Sequence, residues 1–548
     1  MIKSRALSSL ERVLGLILVS LFGAFLLPHF AYAEAVPVSD PSAIVSLLDA
    51  GAEVILESDI IMAERINVNA ESSIDLNGHT LDLGNSAIYT FGGLTVLDSS
   101  EGKTGVLTGS ATFTVNVGTT SQPGSMTLES GTIRCGGSYC ISNAGNLTVN
   151  GGYIVGNNYV VYSRENSLTT MNGGLMKILN DGDAIILSKP GSGFEMNGGK
   201  IDASFDDGTS DGAAGVGAFK DTTVVINGGE IVASSFAVYS NGGSGDNAKI
   251  TVTGGVLSSV KTSAVYMPQK NGENVISGGT LIGLSGVEVR AGSLTISGGT
   301  FVGSMDIYEV IPATNGPTTD GAAVAVAQHD TLQPIDLMIT GGTFEARVPL
   351  SYTNPLNNSD EDLAKISILV TGGVFNTDSG TPIINVAGTR ILAGGIFANP
   401  VTEFVMDGYG EVPLEGTAVE VTPIRHITVE DDSVEFITIA TSAPYKSIVN
   451  FEVKSDSELK KIVEVTDGNG ARIKVDSNSF IMPNSNVTVR VLDDELIPVP
   501  DTGAYTRKND YVATVVSVLA GIAFASVPVY FIITRIKIRK AKVTFAKR

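Results

Sequence analysis

Acidic residues next to glycine are the first candidates for chemistry in this sequence. Asp181 and Asp183 flank a glycine, and Asp206, Asp207 and Asp211 lie in a glycine-rich stretch. Two carboxylates at a set separation could hydrolyse a glycosidic bond, and clustered carboxylates could hold the calcium ion of a polysaccharide lyase. Aspartate beside glycine is also typical of turns. We therefore predict turns and no catalytic residue, and keep the second stretch as a candidate calcium loop without EF-hand spacing.

Histidine and cysteine offer few metal ligands. His79 and His329 are isolated, and Cys135 and Cys140 are the two cysteines of the chain. A zinc site needs more ligands than two thiols, so calcium is the single cofactor candidate. Outside the cell the two cysteines could close a small loop as a disulfide, and the sequence leaves the bonded and the free forms open.

Three tyrosines recur at equivalent places and could bind carbohydrate. Tyr162, Tyr239 and Tyr266 each follow a short apolar run, so they could form a ladder along one face. Exposed aromatic rings are common in sugar-binding sites, but the chain has no tryptophan and only 6% aromatic residues. We favour the alternative interpretation, in which the three rings stack inward.

Gly-Gly pairs divide the middle of the chain into repeats that must position these residues. The pairs begin at residues 151, 173, 198, 228, 254, 278, 298, 341, 372 and 394, with a degenerate copy at Ser130-Gly131. Their mean spacing of about 26 residues is typical of solenoids. In every pair the residue two before the first glycine and the residue three after it are apolar. With Thr, Ser and Asn between them, this alternation predicts strands with one buried face.

A second apolar stretch recurs between the glycine pairs. Examples lie at residues 160–162, 184–187, 237–239, 264–266 and 324–326. Each repeat thus offers at least two short strands and no helical period, which favours a parallel β-helix over residues 34–412. The glycines would supply positive φ at corners where stacked coils leave little room for a Cβ atom. A β-propeller is the alternative, but the intervals 131–151 and 278–298 are too short for its blades.

Several motifs resemble a known group of proteins. Ser297–Phe301, Thr340–Phe344 and Asn227–Ile231 are similar to the rungs of right-handed, pectate-lyase-like β-helix surface proteins of bacteria, and Ser73–Leu81 is similar to their early rung. The resemblance covers residues 36–412. It implies an all-β fold, a right-handed parallel β-helix solenoid whose first coil is capped by an amphipathic segment. Because the group includes enzymes, adhesins and proteins of unknown role, it leaves the activity open.

After Val412 the glycine pairs stop and a different alternation begins. Short apolar alternations lie at residues 427–429, 434–436, 449–453, 473–475 and 487–491. With a hairpin turn at Asp467–Gly470, they predict a small antiparallel β-sandwich module over residues 413–497. We interpret this module as a spacer.

Both ends of the chain carry targeting signals. Basic residues, an apolar run and the Ala31-Tyr32-Ala33 pattern predict a signal peptide over residues 1–33. Residues 511–534 carry no charge and are long enough for a C-terminal transmembrane helix. The basic tail at 535–548 is then cytoplasmic, so we predict a single-pass cell-surface protein with its N-terminus outside.

A linker over residues 498–510 holds a second signal, formed by Val499, Pro500, Asp501, Thr502 and Gly503. It resembles the Leu-Pro-x-Thr-Gly sorting signal of Gram-positive surface proteins. The resemblance implies that a sortase cleaves between Thr502 and Gly503 and joins the protein to the cell wall. Valine in place of leucine departs from that pattern, and an ordinary linker is the alternative.

Charge and repeat architecture leave two functions open. The net charge of −22 argues against nucleic acid as a partner. The first function is a non-catalytic surface protein, adhesive or structural, that presents a rigid β-helix to an extracellular glycan or a host surface. The second is a surface-anchored polysaccharide lyase or glycoside hydrolase acting on acidic glycans. We favour the first, with the long intervals 305–330 and 350–364 as the predicted recognition surface.

Overall fold

The computed structural model describes five stretches of the chain: residues 35–208, 212–243, 245–270, 272–454 and 461–493. The predicted signal peptide, the sorting motif Val499–Gly503, the transmembrane helix and the basic tail lie outside these residues, as does Asp211. In the described stretches no helix has the length and apolar character needed to cross a membrane.

A helix over Pro41–Asp49 closes the N-terminal end of the solenoid. Asp40 caps it, since its carboxylate accepts the N–H of Ser42 at 2.9 Å. Ile44 and Leu48 on its apolar face are completely buried against the first coil. The helix therefore covers apolar surface that the first coil would otherwise expose to water.

The chain then winds through three parallel sheets, A, B and C, in that order, once per coil. Sheet A contains Val36–Val38, Glu53–Leu56, Ser72–Asp75, Gly93–Leu97, Ser125–Leu128, Asn146–Val149, Leu168–Met171, Gly193–Met196, Thr223–Ile226, Lys249–Val252, Glu273–Ile276, Gly292–Ile296, Ile335–Ile339 and Ile366–Val370. Sheet B contains Ile60–Ile61, Thr80–Asp82, Val106–Gly109, Thr132–Cys135, Tyr153–Gly156, Leu175–Ile178, Lys200–Ala203, Glu230–Ala233, Val256–Ser259, Thr280–Ile282, Thr300–Val302, Thr343–Glu345, Val374–Asn376 and Ile396–Phe397.

Sheet C is the second apolar stretch of each repeat. It contains Ile66–Val68, Ile88–Thr90, Phe113–Val117, Tyr139–Asn143, Tyr159–Ser163, Asp183–Leu187, Ala214–Ala218, Val238–Ser240, Ser263–Met267, Ser285–Val289, Ala322–Ala327, Val348–Thr353 and Ile383–Asn385. Apart from the first and the last coil, each coil thus supplies one strand to each long parallel sheet. This is the arrangement of a β-helix and confirms the predicted all-β solenoid.

The glycine pairs form the corner between sheets A and B. At Gly173 a Cβ atom would lie 2.4 Å from the carbonyl oxygen of Asn150 in the preceding coil, so no side chain fits. The next residue, Gly174, has a φ of +77°, which other residues rarely adopt. A Cβ atom at Gly174 would also lie only 2.6 Å from the carbonyl oxygen of Gly152. The first glycine is therefore needed for space, and the second for both space and backbone conformation.

The interior is packed along the coil axis. Successive inward residues stack on one another, as Phe301, Phe344, Phe375 and Phe397 do with ring centroids 4.6–5.0 Å apart. These phenylalanines are the apolar residues predicted three places after the first glycine, and all are completely buried. At the corner between sheets B and C, a disulfide joins Cys135 to Cys140.

The last coils lead into a module with its own core. Its strands and the strand before it are Tyr409–Pro413, Val419–Val429, Ile437–Ile439, Ser442–Pro444, Ile448–Val453, Lys461–Asp467, Arg472–Ile473, Val475–Asp476, Ser479–Ile481 and Val487–Asp493. Val419–Val429 runs through both cores, because Val419 and Val421 belong to the solenoid core and Ile427 to the module core.

The module differs in two details from the predicted antiparallel sandwich. Val419–Val429 pairs in parallel with Val487–Asp493, so the strand pairing is mixed. Val434–Phe436, predicted as a strand, is a turn of 3₁₀ helix; a second such turn is Thr402–Phe404. Polar residues at 430–433 precede Val434, and turns compete with strand pairing there.

Candidate functional site

The outer face of sheet C carries an unusual row of side chains. One outward column continues in register through nine coils: Tyr89, Asn116, Ser142, Tyr162, Ile186, Gly217, Tyr239, Tyr266 and Glu288. Each points outward because its neighbour in the strand, such as Val161 beside Tyr162, belongs to the core. We call this surface the C face.

All three tyrosines predicted to form a ladder lie in this column. They face outward, so the predicted inward stacking is wrong, because the inward positions are taken by Val161, Val238 and Val265. Tyr162 and Tyr239 are half-buried, whereas Tyr266 is only 2% exposed. The sequence could place the three rings in one row but could not show how much of each is covered.

An aromatic group lies on the N-terminal half of the C face. The ring centroid of Tyr139 lies 5.4 Å from that of Tyr159 and 4.8 Å from that of Tyr162. The guanidinium of Arg164 lies 5.8 Å from the Tyr162 ring centroid, and its Nε donates to Ser142 Oγ at 2.7 Å. The rings and the cation therefore hold one another in place at a half-exposed surface.

A second aromatic group lies nearer the N-terminal cap. Tyr89 contacts Phe91 and Phe113, with ring centroids 6.3 Å and 5.5 Å away. The guanidinium carbon of Arg65 lies 4.7 Å from the Tyr89 ring centroid. Tyr89 and Tyr162 are three coils apart, about 14 Å at ~4.8 Å per coil. The N-terminal half therefore repeats one arrangement, an arginine over a tyrosine, at two places along one line.

Asp183 is the strongest candidate for acid–base chemistry on the C face. It is the first residue of a sheet C strand and not a turn residue, and it is 7% exposed. Burial raises the pKa of its carboxyl group to about 7; a hydrogen bond from the Tyr239 hydroxyl opposes this shift and the Asp181 charge adds to it. Near neutral pH the group is therefore protonated part of the time and can donate a proton.

The pairing of Asp183 with Tyr239 depends on a glycine. A Cβ atom at Gly217 would lie 3.1 Å from the rings of Tyr239 and Phe219. The Tyr239 ring thus leans over Gly217 and crosses one coil to reach Asp183. Burial, followed by the charge of Asp183, raises the pKa of the Tyr239 hydroxyl above its ordinary value. No local pattern in the sequence indicates this contact, since the three residues belong to three coils.

The C-terminal half of the C face is covered by residues 304–321, which we call the strap. Within it, Glu309–Val310 pairs antiparallel with Thr319–Asp320. Arg290 lies beneath the strap, completely buried, and donates to the carbonyl oxygens of Gly316 at 2.8 Å and Ala313 at 2.9 Å. In the covered half, the arginine therefore binds backbone carbonyl groups of the strap.

Glu288 is buried next to Arg290. Its Oε1 accepts the backbone N–H of Thr318 at 2.8 Å and the Thr318 hydroxyl at 2.6 Å, whereas Oε2 has no partner among the described residues. Burial raises the pKa of Glu288 to about 7, while the Thr318 hydrogen bond and the Arg290 charge oppose the shift. This carboxyl group is enclosed and cannot meet a ligand while the strap is in place.

The two long intervals predicted as a recognition surface are only partly loops. The first, 305–330, includes the buried strand Ala322–Ala327, and the second, 350–364, includes most of the buried strand Val348–Thr353. The second ends in a short helix, Asp360–Leu363. The long intervals therefore contribute buried strands to the solenoid as well as loops, and only the loop parts lie at the surface.

The other predicted candidates are engaged elsewhere. Asp206 Oδ1 lies 2.6 Å from the ammonium of Lys261, and that hydrogen bond lowers the pKa of Asp206. His79 lies 3.6 Å from Asp59, and the buried His329 lies 2.6 Å from Asp330. Over the described stretches no three His, Cys, Asp or Glu side chains gather as a metal site would require.

Comparisons of the chain with models of protein families, with curated proteins and with solved structures found no match.

Proposed function

We propose that this chain is a bacterial cell-surface protein, without catalytic activity, that binds an extracellular glycan along the N-terminal half of the C face. On this proposal a signal peptide exports it, residues 511–534 hold it in the membrane, and Val499–Gly503 serves a sortase that attaches it to the cell wall. The resemblance to right-handed, pectate-lyase-like surface proteins supports this assignment. The long rigid solenoid suits an adhesive or structural role.

The observation that carries the proposal is the repeated arginine–tyrosine arrangement on a half-exposed face. Tyrosine rings offer flat apolar surface against which a sugar ring can stack. Within the described part of the chain neither Arg65 nor Arg164 forms an ion pair, although Lys177 and Lys200 on sheet B do. A guanidinium with free N–H groups suits a carboxylate or sulfate, so acidic glycans are the preferred ligands.

Glycan binding can be tested with the full-length protein in lipid nanodiscs on a glycan array. We expect binding to acidic glycans, and about a tenfold loss of affinity, or ~1.4 kcal/mol, on Tyr162→Ala. Tyr153→Ala is the matched control, because Tyr153 is 49% exposed on sheet B, away from the C face. Equal losses in the two variants, or no binding by the wild type, would contradict the proposal.

Attachment to the cell wall needs a separate experiment. We expect enzymatic digestion of the wall to release the wild-type protein without detergent. A Thr502→Ala variant would lose the residue that a sortase joins to the wall, so only detergent would release it. Release of both proteins by detergent alone would leave membrane anchoring in place and rule out wall attachment.

A second function, hydrolysis or lyase cleavage of acidic glycans, is favoured by Asp183. A carboxyl group with a pKa of about 7 can serve as a general acid at neutral pH. Its test is product release from acidic polysaccharides by the wild type, compared with Asp183→Asn and with Asp181→Asn as the control. An activity that only Asp183→Asn abolishes would favour the enzyme over the adhesin.

A further inference from the structure

A separate cavity opens at the corner between sheets C and A, near the C-terminal end of the solenoid. Its volume is about 420 Å³, within the range of small-molecule sites. Most of its lining is apolar and includes Leu363, Ile366, Ile368, Val386 and Ile391. Because the cavity lies apart from the C face, a ligand bound in it would be independent of glycan binding there.

The cavity exists because two successive corners differ in length. The chain needs residues 354–365 to pass from sheet C to sheet A in one coil, and that longer corner contains the short helix. In the next coil the corner is shorter, and only Leu392 bridges back to sheet A, opposite Val370. Among the described residues, the first part of strand Ile366–Val370 therefore pairs with no strand of the following coil.

Two residues that continue the columns of core side chains, Ile366 and Ile368, are consequently left partly uncovered. Ile335 and Leu337 are 1% and 0% exposed, and their partners in the next coil are Ile366 and Ile368. Those partners are only half-buried, and Val386 on the opposite wall is 50% exposed. An apolar body placed here would continue the core of the solenoid by one layer.

A polar group also lacks its partner in this cavity. Tyr352 is 3% exposed and its hydroxyl has no hydrogen-bond partner among the described residues. A buried hydroxyl without a partner is costly, and a ligand that supplies one would remove that cost. The hydroxyl therefore marks where a polar atom of the ligand would sit.

A negative charge at the cavity determines which polar group of a ligand it favours. Asp360 lines it and forms no ion pair within the described residues. Asp360 follows Ser359 at the start of the short helix, next to Glu361 and Asp362. This acidic edge favours a cation and repels a carboxylate.

We propose that this cavity binds a small primary amine with an aromatic or branched apolar body. The apolar body covers Ile366 and Ile368, the ammonium lies towards Asp360, and the Tyr352 hydroxyl accepts one of its N–H groups.

Calorimetric titration of the full-length protein in lipid nanodiscs with 4-phenylbutylamine tests this site. The probes for comparison are 4-phenylbutyrate, which reverses the charge, and butylamine, which lacks the ring. We expect the phenyl amine to bind and both other probes to bind at least tenfold more weakly. Equal binding of amine and carboxylate would overturn the proposed ligand class.

Three variants locate the bound amine. Tyr352→Phe removes only the hydroxyl and should weaken binding about fivefold. Asp360→Asn should abolish the preference for the amine over the carboxylate. Ala387→Trp fills the cavity from an exposed wall position and should abolish binding, with an unchanged thermal unfolding profile as the control for folding. Amine binding that is the same in wild type and Ala387→Trp would place the ligand elsewhere and refute the site.

Discussion

Both halves of the C face contain an arginine beside a tyrosine, but the two arginines have different roles. In the N-terminal half, Arg164 lies over Tyr162 at a half-exposed surface and forms no ion pair with any described residue. In the C-terminal half, Arg290 lies beside Tyr266, completely buried, and holds the strap through backbone carbonyl groups. The main difference between the two pairs is the strap, which covers Arg290 and leaves Arg164 half-exposed.

This contrast teaches that an arginine beside a tyrosine has no fixed role. Where water reaches the guanidinium, its unused N–H groups can bind a ligand at little cost to the fold. Where the strap excludes water, every N–H group needs an acceptor from the protein itself. Matched substitutions in the open and the covered half can test this distinction.

Replacing the two arginines should give the largest difference between the halves. We expect Arg290→Met to destabilise the protein by about 3–5 kcal/mol, because it leaves buried carbonyl groups unpaired and removes the positive charge near Glu288. Arg164→Met should cost at most ~1 kcal/mol, because water can replace its contacts. Urea unfolding of the full-length protein measures both losses of stability. Equal shifts of the two unfolding midpoints would show that the two arginines do not differ in this way.

Glu288 should make the covered half sensitive to pH. Its pKa is raised from 4.5 to about 7, so the folded state holds a proton that the unfolded chain releases. The stability that this group contributes is full below pH 4.5 and is lost as the pH rises through 7. The loss amounts to roughly 3 kcal/mol at 1.36 kcal/mol per pH unit.

Unfolding midpoints at pH 5 and pH 8 check this expectation. Glu288→Gln keeps an oxygen for Thr318 and cannot ionise, so it should reduce the wild-type difference between the two pH values. The part that remains belongs to Asp183, whose pKa is also raised to about 7. Glu273→Gln, at an exposed position of sheet A, serves as the control. A wild type and a Glu288→Gln variant with the same pH dependence would refute this role of Glu288.

Removing one hydroxyl from each half should give a smaller contrast. The Tyr266 hydroxyl accepts the backbone N–H of Gly316 in the strap at 3.0 Å, so Tyr266→Phe should cost about 1–3 kcal/mol. The Tyr162 hydroxyl lies 3.2 Å from Ser188 Oγ at a half-exposed position, and Tyr162→Phe should cost less than ~0.5 kcal/mol. Thermal unfolding compares the pair, and a larger loss in Tyr162→Phe would reverse our assignment of the covered half.

The smallest expected effect is a change of glycan affinity with pH in the N-terminal half of the C face. Asp183 is neutral below its pKa of about 7 and charged above it; Tyr159, Tyr239 and Asp181 are the titratable groups near it. Binding of an acidic glycan should therefore weaken a few-fold as the pH rises from 6 to 8. Asp183→Asn should remove that dependence, and a pH profile unchanged by this variant would show that Asp183 does not face the ligand.

The strands and their corners could be predicted from the sequence because their causes are local. Alternation with period two predicts which residues face the core, and Gly173-Gly174 predicts a corner with no room for a side chain. The same reasoning placed Tyr162, Tyr239 and Tyr266 in one row. It failed for Val434–Phe436, where the turn preferences of neighbouring residues outweigh a short apolar alternation.

The solenoid itself, with its strands, glycine corners and apolar interior, is therefore specified by the repeat period and the side-chain alternation. Which outward residues remain open to water depends instead on how distant segments fold over the coils. The strap covers Glu288 and Arg290 and leaves Arg164 uncovered, and Tyr239 reaches Asp183 across a coil. These contacts join residues that are distant in sequence, and burial, which sets the pKa and the available hydrogen bonds, depends on such contacts and not on local pattern.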